Sequence, residues 1–205
     1  MHVIPATLYR WLALAGLMIC LVSPLAGQDS LRLQINTDRI RINQRNMYVL
    51  GGWAVGNIAV SGVLRSRTQG STRYFHEMNV FWNIINLGLS AGGLYGASQE
   101  DPASLSAWET IHEQEKLEKI LLFNMALNFT YMTAGAYLTE RSRTAVNRPE
   151  RLRGYGQSLI MQGGFLLLFD MTQYLVHHQT NYPRLEQLVS HLHVYGNGIG
   201  MNWQF

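Results

Sequence analysis

The stretch Met78–Ala97, MNVFWNIINLGLSAGGLYGA, is the clearest guide to the fold of this chain. It is one of four apolar segments of about 18 to 23 residues, close to the roughly 20 that a helix needs to cross a bilayer. The other three are Met47–Leu64, Ile120–Leu138 and Gly154–Val176. We therefore predict an all-α fold, a four-helix transmembrane bundle.

Charged residues alternate between the loops that join these segments. The loop between the second and third segments is acidic, with Glu100 and Asp101 among its residues. Arginines fill the loops after the first and third segments: Arg65, Arg67, Arg73, Arg141, Arg143, Arg148, Arg151 and Arg153. Because cationic loops stay in the cytoplasm, we predict a multi-pass protein of the bacterial inner membrane with both mature ends in the periplasm.

The N-terminus has the pattern of a cleaved signal peptide over residues 1–27. Arg10 provides the positive charge, Trp11–Val22 is the apolar core, and small residues precede Gln28. The single cysteine, Cys20, lies inside this segment, so disulfides and thiolate metal sites are excluded from the mature chain. Residues 28–46 are predicted to be a polar outer segment, 47–182 the membrane domain and 183–205 an outer tail.

Two short stretches outside the predicted helices alternate apolar and polar residues, as strands do. They are Leu31–Ile35 and Ile199–Phe205, and the turn pair Asn197-Gly198 precedes the second. Both lie on the predicted outer side. The sequence therefore predicts a possible small β element there, formed by pairing of the two ends.

Small residues four apart flatten the surface of a helix and let a neighbouring backbone approach. The first two predicted helices have glycines at this spacing, and we predict that they mediate helix packing: Gly52, Gly56, Gly88, Gly92 and Gly96.

Amides recur three or four residues apart on the predicted helices and so share a face on each. Unpaired amides facing hydrocarbon cost several kcal/mol each, so these faces should meet in a polar interior. The candidates are Asn57, His76, Asn79, Asn83, Asn86, Asn124, Asn128, Asp170 and Gln173.

Asp170 is the only acid inside the four segments. An intramembrane carboxylate costs about 2.5–3.5 kcal/mol on insertion scales, which makes it a candidate functional group. It is interpreted as a proton or cation site, as an anchor for a small ligand, or as a hydrogen-bonding group that only ties helices together.

Four histidines follow the last predicted helix or end it: His177, His178, His191 and His193. They are weak candidates for a metal site on the outer face, and no cofactor is predicted. Motifs of phosphate-binding loops, serine hydrolases and zinc proteases are absent from the sequence. A basic stripe interleaved with aromatic residues is absent as well, so nucleic acid is not an expected partner.

Two runs resemble an uncharacterised family of small bacterial membrane proteins, a domain of unknown function. They are Leu50–Ile58, LGGWAVGNI, and Tyr74–Leu87, YFHEMNVFWNIINL, within a similarity that covers about Ile42 to Asn202. The resemblance implies a four-helix membrane protein without an assigned activity and carries over no catalytic residue. It directs attention to Trp53, Asn57, His76, Asn79, Trp82, Asn83 and Asn86.

The sequence favours a non-enzymatic bundle that binds a partner or a small lipid-like ligand. The lipid bilayer is the expected surrounding, with a membrane protein or a second copy of the chain as a possible partner. One alternative is a transport or proton-relay element that uses Asp170 with Asn83, Asn86 and Asn128. The other is a membrane enzyme that holds a metal with histidines of the outer face.

Overall fold

A computed structural model describes the backbone of residues 6–190, 193–195 and 198–200, and the side chains of residues 29–190. The helices are α1 (Ala6–Arg67), α2 (Gly70–Gln99), α3 (Ala107–Arg141) and α4 (Pro149–Ser190). Two short strands follow, β1 (His193–Tyr195) and β2 (Gly198–Gly200). The predicted all-α four-helix bundle is confirmed.

The connections between the helices are short, and local chemistry fixes two of the helix starts. Gly70 begins α2 at a φ of 60°, a left-handed conformation that glycine adopts without strain. Ser106 caps α3: its side chain accepts a hydrogen bond from the Glu109 backbone, and the Glu109 carboxylate accepts one from the Ser106 backbone.

Helix α4 packs against all three other helices, and its partner along most of its length is α3. Helices α1 and α2 form the second close pair. By contrast, α2 and α3 hardly touch. They meet where the rings of Trp82 and Tyr131 pack edge to face, with centroids 4.8 Å apart. This arrangement leaves a space between α2 and α3 over part of their length.

The predicted packing role of the five glycines is wrong within the chain. A Cβ atom added at any of Gly52, Gly56, Gly88, Gly92 and Gly96 would have no atom of another described element within 4 Å. Close packing falls instead on the α3–α4 pair. A Cβ at Gly156 would lie 2.5 Å from the Gly135 carbonyl oxygen, and one at Gly163 would lie 2.9 Å from the Asn128 carbonyl oxygen.

The bundle is longer than a membrane is thick. At 1.5 Å per residue, the 42 residues of α4 extend over about 63 Å, roughly twice the hydrocarbon core of a bilayer. We call the four predicted segments the central section. The distal section is residues 29–46 of α1, residues 107–119 of α3 and residues 177–190 of α4.

The distal section has a conventional apolar core. Ile35, Leu185 and Leu188 are buried there, and Leu31, Ala107 and Ile111 pack against them. Ion pairs link its helices and loop: Arg39 to Glu100 at 2.8 Å and Arg184 to Asp38 at 2.5 Å.

The strand prediction for Leu31–Ile35 is wrong, because these residues belong to α1. Ile35 contributes to the apolar core with α4, and helical continuity overrides a five-residue alternation. The pairing of the two ends is therefore wrong as well. Strands β1 and β2 instead form an antiparallel hairpin in which Val194 pairs with Ile199. Residues 201–205 of the predicted C-terminal strand lie outside the described part of the chain.

Two helices among the described residues are long and apolar enough to cross a membrane, Asp29–Arg67 and Pro149–Ser190. By the same measure of length and composition, α2 and α3 fall short. For α2 the reason is visible in the sequence, since Asn79, Asn83 and Asn86 interrupt its apolar run.

Candidate functional site

The inside of the central section is polar, and its outside is apolar. Exposed there are side chains such as Ile84, Phe123 and Leu168, which are 57%, 64% and 65% exposed. Ten polar residues of the same section are buried: Ser61, Asn79, Asn83, Asn86, Ser90, Asn128, Ser158, Gln162, Asp170 and Gln173. This is the reverse of the distribution in a water-soluble bundle.

Asn79 joins three helices through its side chain. Its Oδ1 accepts hydrogen bonds from Ser158 Oγ at 2.5 Å and Gln162 Nε2 at 3.2 Å, both on α4. Its Nδ2 donates to Ser61 Oγ on α1 at 3.4 Å. Gln162 in turn accepts from the Trp53 indole at 3.1 Å. The amide group of one residue thus connects α1, α2 and α4.

The same network continues along α2 in both directions. Toward the arginine-rich end, His76 Nδ1 lies 3.1 Å from Ser61 Oγ. Toward the distal section, Asn83 donates to the Asn79 carbonyl at 2.8 Å, and Asn86 donates to Asn83 Oδ1 at 3.4 Å. Asn86 ends this chain of hydrogen bonds.

Asp170 belongs to a separate polar pair. Its Oδ2 accepts from Asn128 Nδ2 at 2.6 Å, which joins α4 to α3 at one level. Within the described part of the chain, Oδ1 has no hydrogen-bond donor and the carboxylate has no ion-pair partner. The residue is 7% exposed.

A cleft of about 720 Å³ occupies the space between α2 and α3, a volume within the range of small-molecule sites. Its lining is mainly apolar. We call the apolar lining residues the walls of the cleft; they include Ile85 and Leu89 of α2 and Leu127 of α3. We call the polar lining residues of the central section its base: Asn86, Asn124, Asn128, Asp170 and Gln173. The ring pair Trp82 and Tyr131 also lines it.

Charged residues stand at the distal end of this cleft, and they are paired. Arg39 Nη2 lies 2.8 Å from Glu100 Oε2, and Lys116 Nζ lies 3.1 Å from Glu113 Oε1. Each of these cations therefore has its own carboxylate. Of the acidic lining residues, Asp170 has no cationic partner among the described residues.

A family model described as a family of unknown function, DUF6992, matches residues 49–171. The chain belongs to the DUF6992 family. The family predicted from the two sequence runs, a domain of unknown function, is thus confirmed, although the match is shorter than the expected 42–202. No curated protein and no solved structure matches the chain.

The part matched by DUF6992 contains the polar network and most of the cleft. Trp82, Asn86, Asn128 and Asp170 all lie within it. Arg39 at the distal end and Gln173 at the base lie outside it. Two predicted interior residues have weaker roles than the rest: Asn57 donates to the Trp53 carbonyl of its own helix, and Asn124 is only partly buried.

The predicted histidine set is not brought together by the residues that the structure describes. His177 is fully buried, whereas His178 lies at the surface between the rings of Tyr174 and Tyr182, 3.5 Å from Glu118. The side chains of His191 and His193 lie outside the described residues. Among the described residues no three His, Cys, Asp or Glu side chains form a group that would hold a metal ion.

His177 belongs to a buried polar layer of the distal section. Neither ring nitrogen has a hydrogen-bond partner among the described residues. Burial, together with the positive charge of Arg39, lowers the pKa of His177 to about 4, so the ring is neutral at pH 7. Around it Asn181 donates to Gln114 at 3.0 Å, and Asn36 donates to Thr110 at 2.9 Å.

The sequence did not single out several residues that complete the site. Ser158 is an α4 partner of Asn79, and Arg39 lies at the distal end of the cleft. The packing of Tyr131 on Trp82 was not predicted either.

Proposed function

We propose that this chain is an integral membrane protein and that all four helices of its central section cross the bilayer. The support is the change of polarity along the bundle. In the central section Ile84 and Phe123 face outward while Asn79 and Asn83 are buried. In the distal section three apolar residues are buried beside a polar layer, and charged side chains such as Arg41 and Glu115 are exposed. A surface that is apolar over the span of a bilayer and polar beyond it matches a bundle that enters lipid.

Helices α2 and α3 cross with the other two under this proposal, although they are less apolar. In the chain, α2 and α3 connect α1 to α4. Helices α1 and α4 are each long and apolar enough to cross. Both also have an apolar exposed side, with Phe81 59% and Phe129 65% exposed. Their amides do not face lipid, because Asn83 and Asn128 are buried.

The charge distribution supports one orientation. Arginines of the loops at 65–73 and 139–153 lie at one end of the bundle, the cytoplasmic end under the positive-inside rule. The distal section and the acidic loop then lie outside, in the periplasm of a bacterium. Exposed Tyr48 and Tyr95 fall at the boundary between the central and distal sections, where interfacial aromatic residues are enriched.

Within this membrane bundle, we propose that the cleft between α2 and α3 binds an amphipathic, lipid-like ligand. The cleft itself carries this proposal. Its walls at Ile85, Leu89 and Leu127 suit an alkyl chain, and its base at Asn86 and Asp170 suits a polar head. Because α2 and α3 hardly touch, the opening between them would face the acyl chains, from which such a molecule enters.

Photolabelling in lipid vesicles tests the binding site. A long-chain alcohol that carries a diazirine on its chain is added to the reconstituted protein, and the labelled peptides are mapped by mass spectrometry. We expect saturable labelling of peptides from α2 and α3 that contain Leu89 and Leu127, which unlabelled alcohol competes away.

Two tryptophan substitutions on α3 form a matched pair for this experiment. Leu127→Trp fills the cleft, so it should reduce the saturable labelling at least about tenfold, a loss of roughly 1.4 kcal/mol of binding free energy. Leu122→Trp adds the same ring at a position that is 49% exposed and outside the cleft, and it should leave labelling unchanged. Equal labelling of both variants and the wild type would overturn the cleft as the site.

The proton-relay alternative predicts a different result in the same vesicles, namely a pH-dependent flux. The chain of hydrogen bonds from His76 ends at Asn86 and does not include Asp170. If saturable labelling is absent and Asp170→Asn abolishes a pH-dependent flux of the wild type, the relay replaces ligand binding.

A further inference from the structure

Asp170 is a carboxylate without a compensating charge among the residues that the structure describes. It is 7% exposed and accepts one hydrogen bond from those residues, donated by Asn128. Burying an ionised carboxylate away from water costs much more free energy than one such bond returns. Oδ1 has no donor among the described residues, although the residue lines the cleft. A donor from outside the chain can therefore reach this carboxylate through the cleft.

The other ionisable groups of the cleft do not supply this charge. Arg39 is paired with Glu100 and Lys116 with Glu113, at the distal end. With both pairs neutral, the lining as a whole has an excess of one negative charge, and Asp170 holds it. The cleft is thus electrostatically complementary to a ligand with one positive charge.

The remaining lining suits a protonated amine in particular. The side-chain oxygens of Asn86, Asn124 and Gln173 accept hydrogen bonds, and an ammonium group has three protons to donate. The rings of Trp82 and Tyr131 attract a cation through their faces. A bare metal ion would use little of a cavity of about 720 Å³ with apolar walls.

We propose that the ligand of the cleft is an amphipathic primary amine whose ammonium group pairs with Asp170. This inference rests on the proposed binding of a lipid-like molecule and adds the charge of its head. The amine enters from the acyl chains through the opening between α2 and α3, and its chain lies against Leu89 and Leu127.

Three photoactivatable probes with the same chain test the charge: an amine, an alcohol and a carboxylate. In wild-type protein in vesicles at neutral pH, we expect half-maximal labelling of the cleft by the amine at a concentration at least about tenfold lower than by the alcohol, equivalent to about 1.4 kcal/mol. The carboxylate should label more weakly than the alcohol. Equal labelling by amine and alcohol would overturn the proposal, while absence of saturable labelling by all three would overturn the binding site itself.

Two carboxylate substitutions show whether Asp170 is responsible. Asp170→Asn should bring the amine to the level of the alcohol, and saturable labelling by the alcohol shows that the cleft of this variant is intact. Glu115→Gln removes an exposed acid of the distal section that is not among the residues lining the cleft, and it should leave the preference for the amine within about twofold, roughly 0.4 kcal/mol. An amine preference that survives Asp170→Asn, or is lost in Glu115→Gln, contradicts the pairing. If Asp170→Asn does not fold, Asp170→Glu should retain the preference, and the wild-type comparison decides the charge of the ligand.

Discussion

Gly156→Ala is expected to lower the free energy of unfolding of the bundle by about 3 kcal/mol, the upper part of the range for overpacking. The added Cβ would lie 2.5 Å from the Gly135 carbonyl oxygen and 2.9 Å from the Thr139 backbone nitrogen, both on α3. Backbone atoms of a packed helix cannot turn aside as a side chain does, so α3 and α4 would have to separate. Equilibrium unfolding of the purified protein in mixed detergent micelles measures the loss.

Gly92→Ala is the matched control, because it makes the same chemical change on α2. No atom of another element in the described part of the chain lies within 4 Å of the added Cβ, so the variant should be as stable as the wild type or gain up to about 1 kcal/mol of helix propensity. If Gly92→Ala is the damaging change and Gly156→Ala is tolerated, the described packing of α3 on α4 is wrong.

Ile84→Lys is expected to reduce the membrane-inserted fraction of the protein severely. Ile84 is 57% exposed, and on a water-soluble protein a lysine there would be harmless. In the proposed bundle the side chain faces hydrocarbon near the middle of α2, where a lysine costs about 2.5–3.5 kcal/mol on insertion scales. The measurement is the share of expressed protein that stays with membranes after alkaline extraction.

Val189→Lys makes a comparable change outside the proposed membrane. Val189 is 48% exposed in the distal section, where lysine faces water, and this variant should insert like the wild type. Equal behaviour of the two variants would show that the exposed apolar surface of α2 does not face lipid.

The four helices and their polar faces could be predicted from the sequence because both depend on spacing along one chain. Amides at Asn79, Asn83 and Asn86 share a face at 100° per residue, whatever the neighbouring helix is. Asn128 and Asp170 were both predicted for the polar interior, and the structure joins them by a hydrogen bond. The N-terminal signal segment and the orientation in the membrane stay predictions.

The glycine prediction failed because the glycines and the amides of α2 lie on opposite faces, and both were predicted to face other helices. Gly88 lies nine residues after Asn79, which at 100° per residue places it half a turn away. Only one of these faces can point inward, and the amides take it because they need hydrogen-bond partners. On α4 the glycine face and the polar face are both buried, because α4 packs against both α3 and α2. Gly156 and Gly163 contact α3, whereas Ser158 and Gln162 bond to Asn79 of α2.

The cleft could not be predicted from one sequence. It exists because α2 and α3, which are consecutive in the chain, are held apart while both pack on α4. Such an arrangement depends on the contacts of all helices at once. For the same reason Arg39 was missed, because only the three-dimensional structure brings the N-terminal part of α1 to Glu100 at the end of α2.

The most direct test of the membrane-embedded bundle is the accessibility of single spin labels in lipid vesicles, on a Cys20→Ser background. Labels at Ile84, Phe123 and Leu168 report on the central section, and labels at Arg41 and Glu115 report on the distal section. We predict that oxygen dissolved in lipid relaxes the first three labels more strongly than a water-soluble nickel chelate does, and that the last two show the reverse. A nickel chelate that reaches Ile84 and Phe123 as readily as Glu115 would contradict the account.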